Sequence, residues 1–278
     1  MQCHRRAANQ DRSRLENDVR IALLTTDSAA SGAAVRQLLA GRQLDIVLVA
    51  DSSPFRSPAG PPTRRTLRAL WRSRLLIAPY LLVNFVVPRM AGRSLAAFCR
   101  RRGLAFLRLG DVNAPTTTAA LKAHGAEALL LYHFDQILTE GTIAQFPSGI
   151  ANVHPSLLPA HRGPVPTIHL LLEQRPRPGV TIHRVVQAID DGPVLAQAEV
   201  HLPAGVSATG AARHLHLAAL PLVPAAVELM RSGAPGKAQG ERLPYCGFPD
   251  ATTLRRLRRA GRHSVRWLDI LHAMEVDL

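Results

Sequence analysis

The sequence predicts an α/β fold built on a mostly parallel central sheet. Short apolar runs of about five residues alternate with stretches of helical character along most of the chain. Several runs, such as D-I-V-L-V-A and A-L-L-L-Y, are continuously apolar, as strands buried on both faces of a parallel sheet are. Hydrophobic residues make up 47% of the 278 residues, enough for a sizeable core. Strand, helix and strand in this order indicate the opening of a parallel α/β sheet.

The expected elements can be followed along the chain. Strands are bounded by turn-forming residues, and the helices between them are short. The expected strands cover residues 20–25, 45–50, 105–109, 128–132, 149–153, 180–186 and a run that begins at Val194. The expected helices cover residues 33–39, 95–102, 117–124, 139–146 and, as a pair of core helices, 208–229.

Three segments fall outside this alternation and leave residues 19–233 as the main domain. Residues 1–18 are polar and charged without the apolar core of a signal peptide, so we expect a loose tail. The insertion at residues 56–93 combines a Pro/Gly-rich loop, an Arg-rich stretch and a 13-residue apolar run that is too short to span a membrane. We expect its helices to pack on the domain, with peripheral membrane or substrate contact through residues 64–93 as the alternative. Residues 234–278 form a linker and a basic extension.

The charge is strongly basic and unevenly placed. The formal net charge of +14 is carried by 32 arginines and two lysines. Twelve arginines and no acid lie between Arg56 and Arg108, and six arginines without an acid lie between Arg255 and Arg266. Such surfaces attract phosphate, nucleic acid or anionic lipid, although a compositional bias gives the same pattern. The three cysteines are far apart, which favours a reducing, cytoplasmic location and offers no metal site.

The most informative segment is N-V-H-P-S-L-L-P-A-H-R-G at residues 152–163. Asn152 and His154 are two positions apart at an expected strand end, so their side chains point the same way. Ligands bind at the carboxyl ends of parallel strands. An amide and an imidazole side by side can hold a carbonyl oxygen as it becomes an oxyanion. A satisfied polar pair at the end of a strand is the alternative.

A second segment, residues 179–197, places an acidic turn between two strand patterns. Its carboxylates are Asp190 and Asp191, followed by Gly192. One of them could face Asn152 and His154, where it would raise the pKa of the histidine and take part in proton transfer. Asp-Asp-Gly is also common turn chemistry. The turn after the first expected strand, residues 26–32, lacks the G-x-G-x-x-G pattern, so no dinucleotide is expected.

Together the two segments resemble the folate-dependent formyltransferase family, which includes glycinamide ribonucleotide, methionyl-tRNA and sugar N-formyltransferases. The family's N-x-H-P-S-L-L-P stands at residues 152–159, and its G-V-T-I-H and D-x-G-P-V-L-x-Q stand at residues 179–183 and 190–197. Asn152 and Asp190 are 38 residues apart, as in the glycinamide enzyme. The resemblance covers roughly residues 19–233. It implies a Rossmann-like formyltransferase fold with a helical insertion and a short helical C-terminal extension.

The resemblance also implies roles for the motif residues. Asn152 would hydrogen-bond the formyl oxygen of 10-formyltetrahydrofolate, and His154 would stabilise the tetrahedral oxyanion. Asp190, favoured over Asp191 by the motif spacing, would support proton transfer through an ordered water. The acceptor amine attacks directly, so neither an enzyme nucleophile nor a metal is expected. His183 matches a family position, but we expect a structural role for it.

The implied pterin pocket is formed mainly by backbone groups of two segments. Ile137 and Leu138 would supply an apolar floor, and Gln136 stands where the glycinamide enzyme has an arginine. The resemblance further implies a cis bond before Pro159. The expected folate-contacting residues are Phe134, Gln136, Ile137, Leu138, Val186, Gln187, Ala188 and Ile189.

The acceptor is less well defined. Residues 26–32 do not reproduce the glycine-rich phosphate loop of the glycinamide enzyme. The 45 residues after Gly233 are too few for the extra domain of methionyl-tRNA formyltransferase, so tRNA is a less favoured acceptor, and formyltetrahydrofolate hydrolase would need a further domain. We expect a small amine, such as an amino sugar or a natural-product intermediate. The non-enzymatic alternatives are a folate- or anion-binding regulatory protein and a membrane-surface or RNA-binding protein.

Overall fold

The computed structural model describes residues 19–52, 64–91 and 94–274, and it confirms the expected α/β fold. The tail expected at residues 1–18 and the Pro/Gly-rich part of the insertion lie outside the described residues. One seven-stranded sheet has the order β3-β2-β1-β4-β5-β6-β7. The strands are β1 (Ile21–Thr26), β2 (Ile46–Ser52), β3 (Phe106–Arg108), β4 (Ala128–Tyr132), β5 (Ile150–His154), β6 (Gly179–Arg184) and β7 (Val194–Glu199).

Strands β1 to β5 run parallel, and β6 and β7 form an antiparallel hairpin beside β5. Every residue of β1 and β4 is buried, which explains why these runs are apolar without alternation. The parallel strands all end at one edge of the sheet, called the carboxyl edge below. Loops that follow β1, β2, β4 and β5 therefore meet at this edge, where α/β sheets bind ligands.

Helices cover both faces of the sheet. On one face α1, α5 and α10 pack into a core with β1, β4 and β5, and on the other face the core includes Leu121 and Phe146. The helices are α1 (Gly32–Gly41), α2 (Arg64–Arg72), α3 (Ala78–Leu81), α4 (Val87–Met90), α5 (Leu95–Arg102), α6 (Pro115–Ala123), α7 (Glu140–Ile143), α8 (Pro166–Leu170), α9 (Ala208–Ala219), α10 (Val223–Arg231), α11 (Ala251–Arg259) and α12 (Trp267–Met274). A π-helical turn, Leu82–Val86, joins α3 to α4.

The insertion and the C-terminal extension form one unit, here called the helical layer (residues 64–91 and 251–274). Tyr80 and Phe85 of the insertion and Leu254 and Leu257 of α11 share a third hydrophobic cluster. Helix α12 packs against α4 and the π-helical turn. The same cluster includes Val165, Ile168 and Leu171, so the described part of the insertion also lies against residues of the expected main domain.

The helical run between Ala78 and Arg102 is longer than the apolar run seen in the sequence. By length and composition alone it could cross a membrane, and it passes through residues 92–93, which are not described. However, 44% of its most apolar window is buried inside the protein. Tyr80 and Phe85 of this run are buried against Leu254 and Leu257 in the third hydrophobic cluster.

Candidate active site

The structure brings Asn152, His154 and Asp190 together with His183 at the carboxyl edge. Asn152 on β5 lies directly opposite His183 on β6 in the antiparallel register. Their side chains meet, with Asn152 Nδ2 3.1 Å from His183 Nε2. Asp190 Oδ1 lies 3.8 Å from His154 Nδ1 and 3.7 Å from His183 Nε2. These four residues, called the Asn-His-Asp cluster below, join the two sequence motifs at one point.

The turn between β6 and β7 holds Asp190 in place through several backbone contacts. Asp190 has a left-handed backbone with φ of +50°, and its Oδ2 accepts a hydrogen bond of 2.9 Å from the Gly163 amide. Arg162, almost fully buried, donates to the Ile189 carbonyl oxygen at 2.6 Å. A Cβ at Gly192 would lie 1.8 Å from a backbone oxygen of β6, so only glycine fits there.

Asp191 occupies a different environment from its neighbour. Its two carboxylate oxygens face arginines, at 3.5 Å from Arg162 Nη1 and 3.7 Å from Arg242 Nε. Asp190, by contrast, faces the two histidines of the cluster. The contacts thus favour Asp190 over Asp191 as the carboxylate beside His154, as the motif spacing does.

The C-terminal extension supports the same turn. Gln239 Nε2 donates hydrogen bonds of 3.1 Å to the Asp190 carbonyl oxygen and 2.8 Å to that of Gly192. The Cys246 amide donates to the Arg162 carbonyl oxygen at 2.7 Å. The extension therefore braces both motifs from outside the main domain.

The cluster has a defined charge state. Burial raises the pKa of Asp190, but His154, His183 and the Gly163 amide outweigh it and lower the pKa to about 2. Burial lowers the pKa of His154, and the opposing effect of Asp190 is smaller. Asp190 thus raises the pKa of His154 as expected, but burial of the almost fully enclosed imidazole outweighs it and the net shift is downward. At neutral pH the cluster holds a carboxylate beside a neutral His154.

The two segments expected to hold the pterin follow β4 and β6, and apolar residues at the start of each pack into one core. Leu138 is buried in the hydrophobic core that includes Leu121 and Phe146, and Phe134 and Val185 pack against that core. Ile137 and Val186 are 49% and 39% exposed, which leaves two apolar side chains available to a ligand. The peptide bond between Leu158 and Pro159 is cis, as the sequence predicted.

Gln136 is held more tightly than the sequence suggested. Its amide donates to Ser52 Oγ at 2.9 Å and to the Gly110 carbonyl oxygen at 2.8 Å, and its Oε1 accepts from the Val112 amide at 2.9 Å. The side chain therefore ties three loops of the carboxyl edge together. Of the other segment, Gln187 is exposed, Ala188 and Ile189 are half-buried, and the Ile189 carbonyl is occupied by Arg162.

The loop after β1 is here called the first loop (residues 27–32). Several of its backbone amides donate hydrogen bonds to other groups of the protein. The Asp27 amide donates to Asp51 Oδ1 at 2.9 Å, and the Ala29 amide donates to the Asn84 carbonyl oxygen at 2.9 Å. The amides of Ser31 and Gly32 donate back to Ser28. These four amides are not free to cradle a phosphate, in contrast to phosphate-binding loops.

The insertion covers this loop. Phe85 stacks on His133 with ring centroids 6.2 Å apart, and His133 Nδ1 lies 3.0 Å from Ser28 Oγ. His216, fully buried, lies edge-on to His133 at 5.4 Å, and burial lowers its pKa to about 3. The polar side chains of His216 and His133 therefore lie next to the first loop, and Phe85 of the insertion covers His133.

Two supporting residues had no assigned role in the sequence analysis, Arg162 and Gln239. The contacts of His183 with Asn152 and Asp190 are compatible with the structural role expected for it. These contacts depend on the antiparallel register of β6 and on the path of the extension, which the sequence does not display. The one available signal was that His183 and Arg162 lie within the motif segments 152–163 and 179–197.

The sheet order is that of a Rossmann-like α/β domain. Residues 107–227 match the family described as Formyl transferase. Over these residues, less than half of the chain, it resembles that family, in agreement with the motifs at residues 152–159 and 179–197.

Curated relatives match the same part of the chain. A methionyl-tRNA formyltransferase of Chloroflexus aggregans is 33% identical over 46% of this chain and 45% of its own length. One of Roseiflexus sp. is 36% identical over 45% of this chain and 42% of its own. The matched region thus covers less than half the length of these relatives.

Solved structures share the fold at low identity. Glycinamide ribonucleotide transformylase 1 of Symbiobacterium toebii aligns with a TM-score of 0.55 at 20% identity, covering 81% of this chain and 95% of its own. A sugar N-formyltransferase of Shewanella sp FDAARGOS_354 aligns with a TM-score of 0.53 at 18% identity, covering 82% and 76%. These similarities concern the fold and leave the acceptor open.

Proposed function

We propose that this chain transfers a formyl group from 10-formyltetrahydrofolate to the amine of a small-molecule acceptor. The observation that carries the proposal is the meeting of Asn152, His154 and Asp190 at the carboxyl edge of a formyltransferase fold. We place the catalytic domain at residues 19–233 and expect it to act in the cytoplasm. The C-terminal extension adds Gln239 as a brace of the catalytic turn.

The reaction begins when the acceptor nitrogen attacks the formyl carbon, whose oxygen becomes an oxyanion. The Asn152 amide has two N–H groups, and its contact with His183 leaves one for the formyl oxygen. The Nε2–H of His154 is directed at the His161 carbonyl oxygen, 3.2 Å away, so the imidazole stabilises the developing charge once Nδ1 has accepted a proton. Donors fixed in place before the reaction stabilise such an oxyanion by about 3 kcal/mol each, because they need not reorganise.

The proton of the attacking amine must then reach N10 of the folate as the carbon–nitrogen bond to N10 breaks. Asp190 is ionised and His154 is neutral, so the pair can accept that proton. Oδ1 of Asp190 lies 3.8 Å from His154 and 3.7 Å from His183, which is too long for direct hydrogen bonds. One water between these groups would close both gaps and carry the proton.

The folate would lie along residues 134–138 and 186–189. Exposed Ile137 and Val186 suit a flat heterocycle, and the carbonyl and amide groups of irregular backbone suit its polar edge. Because the Gln136 side chain is already hydrogen-bonded to Ser52, Gly110 and Val112, only its backbone is available to the folate. No metal has a role in this reaction.

For the acceptor we favour an amino sugar or a related small amine. The occupied amides of the first loop argue against a phosphate held there, as glycinamide ribonucleotide would require. The fold similarity to a sugar N-formyltransferase is compatible with this choice. Methionyl-tRNA is the second candidate, because the curated relatives above are named methionyl-tRNA formyltransferases and the chain is strongly basic.

The proposal is tested by mixing the protein with 10-formyltetrahydrofolate and measuring release of tetrahydrofolate. We expect release only when an amine is present, and a panel of sugar-nucleotide amines and methionyl-tRNA identifies the acceptor. Release without any amine would indicate hydrolysis instead. Absence of folate binding at millimolar concentration would overturn the proposal.

A further inference from the structure

Exposed apolar side chains are concentrated on the helical layer. Among the described residues, fifteen large hydrophobic side chains are exposed, and ten of them lie on this layer. Scattered single apolar residues are normal on a protein surface, but a group of this size marks an interaction site. The ten are Leu67, Trp71, Leu75, Leu82, Met90, Trp267, Leu268, Ile270, Leu271 and Met274.

Both tryptophans of the chain belong to this group. Trp71 is 80% exposed and Trp267 is 70% exposed. The indole ring combines a large apolar surface with one polar N–H, and it favours the boundary between water and lipid headgroups. Two such rings on one layer would be costly to leave in water.

The same layer carries a dense positive charge. Residues 64–91 include no acid, and the single acid of residues 251–274, Asp269, is buried and bonded to Ser207 and Arg266. The side chain of Asp250, just before α11, accepts a hydrogen bond of 2.8 Å from the Thr253 amide, and the charge of Arg72 also acts on it. The exposed arginines are Arg68, Arg72, Arg74, Arg255, Arg256, Arg258, Arg259 and Arg266.

We propose that the helical layer binds the surface of a membrane that contains anionic lipid. Arginines would pair with lipid headgroups, while the apolar side chains enter the headgroup boundary. This surface is independent of the proposed formyl transfer, which takes place at the carboxyl edge.

Charge and composition favour a bilayer over two other occupants. A second copy bound by the same face would set these arginines against one another, which like-charge repulsion disfavours. Nucleic acid would satisfy the arginines but would leave Leu271, Ile270 and Met274 with no apolar partner. Only a lipid surface offers both negative headgroups and an apolar interior.

The layer is already organised for such contact. Its inner side is fixed by the cluster of Tyr80, Phe85, Leu254 and Leu257, so its outer side needs no folding step. Preorganised surfaces bind with less entropic cost. The inner side also reaches the first loop through Phe85 and His133, so binding would hold the carboxyl edge near the membrane.

The location of the tryptophans gives a direct measurement. Full-length protein is titrated with phosphatidylcholine vesicles, with and without phosphatidylglycerol, while tryptophan emission is recorded. We expect a blue shift and co-sedimentation with the phosphatidylglycerol vesicles only, and both should weaken as salt is raised. Co-sedimentation should fall at least tenfold in the Trp71→Ser/Trp267→Ser variant and in Arg255→Gln/Arg259→Gln.

Matched controls lie elsewhere on the surface. Leu229→Ser changes an exposed apolar residue of α10, and Arg175→Gln removes an exposed charge outside the layer. Both should bind vesicles like the unchanged protein, and circular dichroism should show that every variant is folded. The proposal is overturned by equal binding to both kinds of vesicle, by a shift with tRNA but not with vesicles, or by a shift that depends only on protein concentration. Loss of formyl transfer would not affect this test.

Discussion

Two buried carboxylates at the carboxyl edge, Asp51 and Asp190, are shifted in opposite directions. Burial raises the pKa of Asp51 to about 6, and the neighbouring Asp27 adds to this, while the Asp27 amide, Arg89 and Arg108 only partly offset it. Asp190 is also buried, but two histidines and an amide lower its pKa to about 2. At the same edge of the sheet, Asp190 is thus held as an anion, whereas Asp51 resists ionisation.

The difference teaches that burial alone does not define a catalytic carboxylate. What distinguishes Asp190 is the set of partners directed at its charge, His154, His183 and the Gly163 amide. Asp51 instead accepts one hydrogen bond that ties the first loop to β2. These partners support the role proposed for Asp190 in the chemistry, and they favour a structural role for Asp51 in the first loop.

The largest expected effect concerns activity. Asp190→Asn, Asn152→Ala and His154→Ala should each lower kcat/KM about 100- to 1,000-fold, because each removes a transition-state interaction. Asp51→Asn and Asp191→Asn should stay within several-fold of the unchanged protein. Steady-state rates of tetrahydrofolate release measure these effects. A loss of kcat/KM in Asp51→Asn as large as that in Asp190→Asn would contradict the distinction between the two carboxylates.

The turn that carries Asp190 can be disturbed without altering the carboxylate. Gly192→Ala places a Cβ against a backbone oxygen, so it should lower the free energy of unfolding by about 1–3 kcal/mol and reduce activity. Gly141→Ala is the control, since a Cβ there meets nothing within 4 Å and lies in helix α7. Urea denaturation of both variants measures the difference, and similar stabilities would contradict the geometry.

The opposite pKa shifts predict opposite effects of asparagine on stability. The Asp190 charge stabilises the fold above its ordinary pKa of 3.8, and this is lost as pH falls through about 2. The neutral form of Asp51 stabilises the fold below 3.8, and this is lost as pH rises through about 6. At pH 7, Asp190→Asn should therefore destabilise and Asp51→Asn stabilise, each on the order of 1–2 kcal/mol.

The comparison of these two variants by urea unfolding at pH 4 and pH 7 sharpens that prediction. The stabilising effect of Asp51→Asn should shrink towards pH 4, where the native carboxyl is already neutral. A stabilising effect that is the same at both values would show that charge is not its cause.

The smallest effect is a shift in the pH profile. Because burial holds the pKa of His154 below its ordinary 6.5, the acid limb of kcat/KM should fall below that pH. Asp190 opposes that shift, so in the residual activity of Asp190→Asn the acid limb should move lower still. Asp51→Asn should leave the limb in place, and a profile unchanged in both variants would remove His154 from the proton path.

The sequence predicted most of the scaffold well. Strands such as β1 and β4 are buried on both faces, so their residues must all be apolar and the pattern is visible locally. Helix α5 was expected at its observed bounds, because Ser94 caps its start and Gly103 follows its end. By contrast α7 is shorter than expected, since Ala144 to Phe146 leave the helix for a turn into β5.

The sequence by itself determined the candidate residues of the site, because Asn152, His154 and Asp190 stand in motifs whose spacing can be read along the chain. Only the tertiary structure decided their surroundings. The partners of Asp190 come from β6, from residue 163 and from the extension, and the sign of each pKa shift depends on the sum of burial and those contacts. Burial and long-range contact arise when the elements pack together, so no local pattern records them.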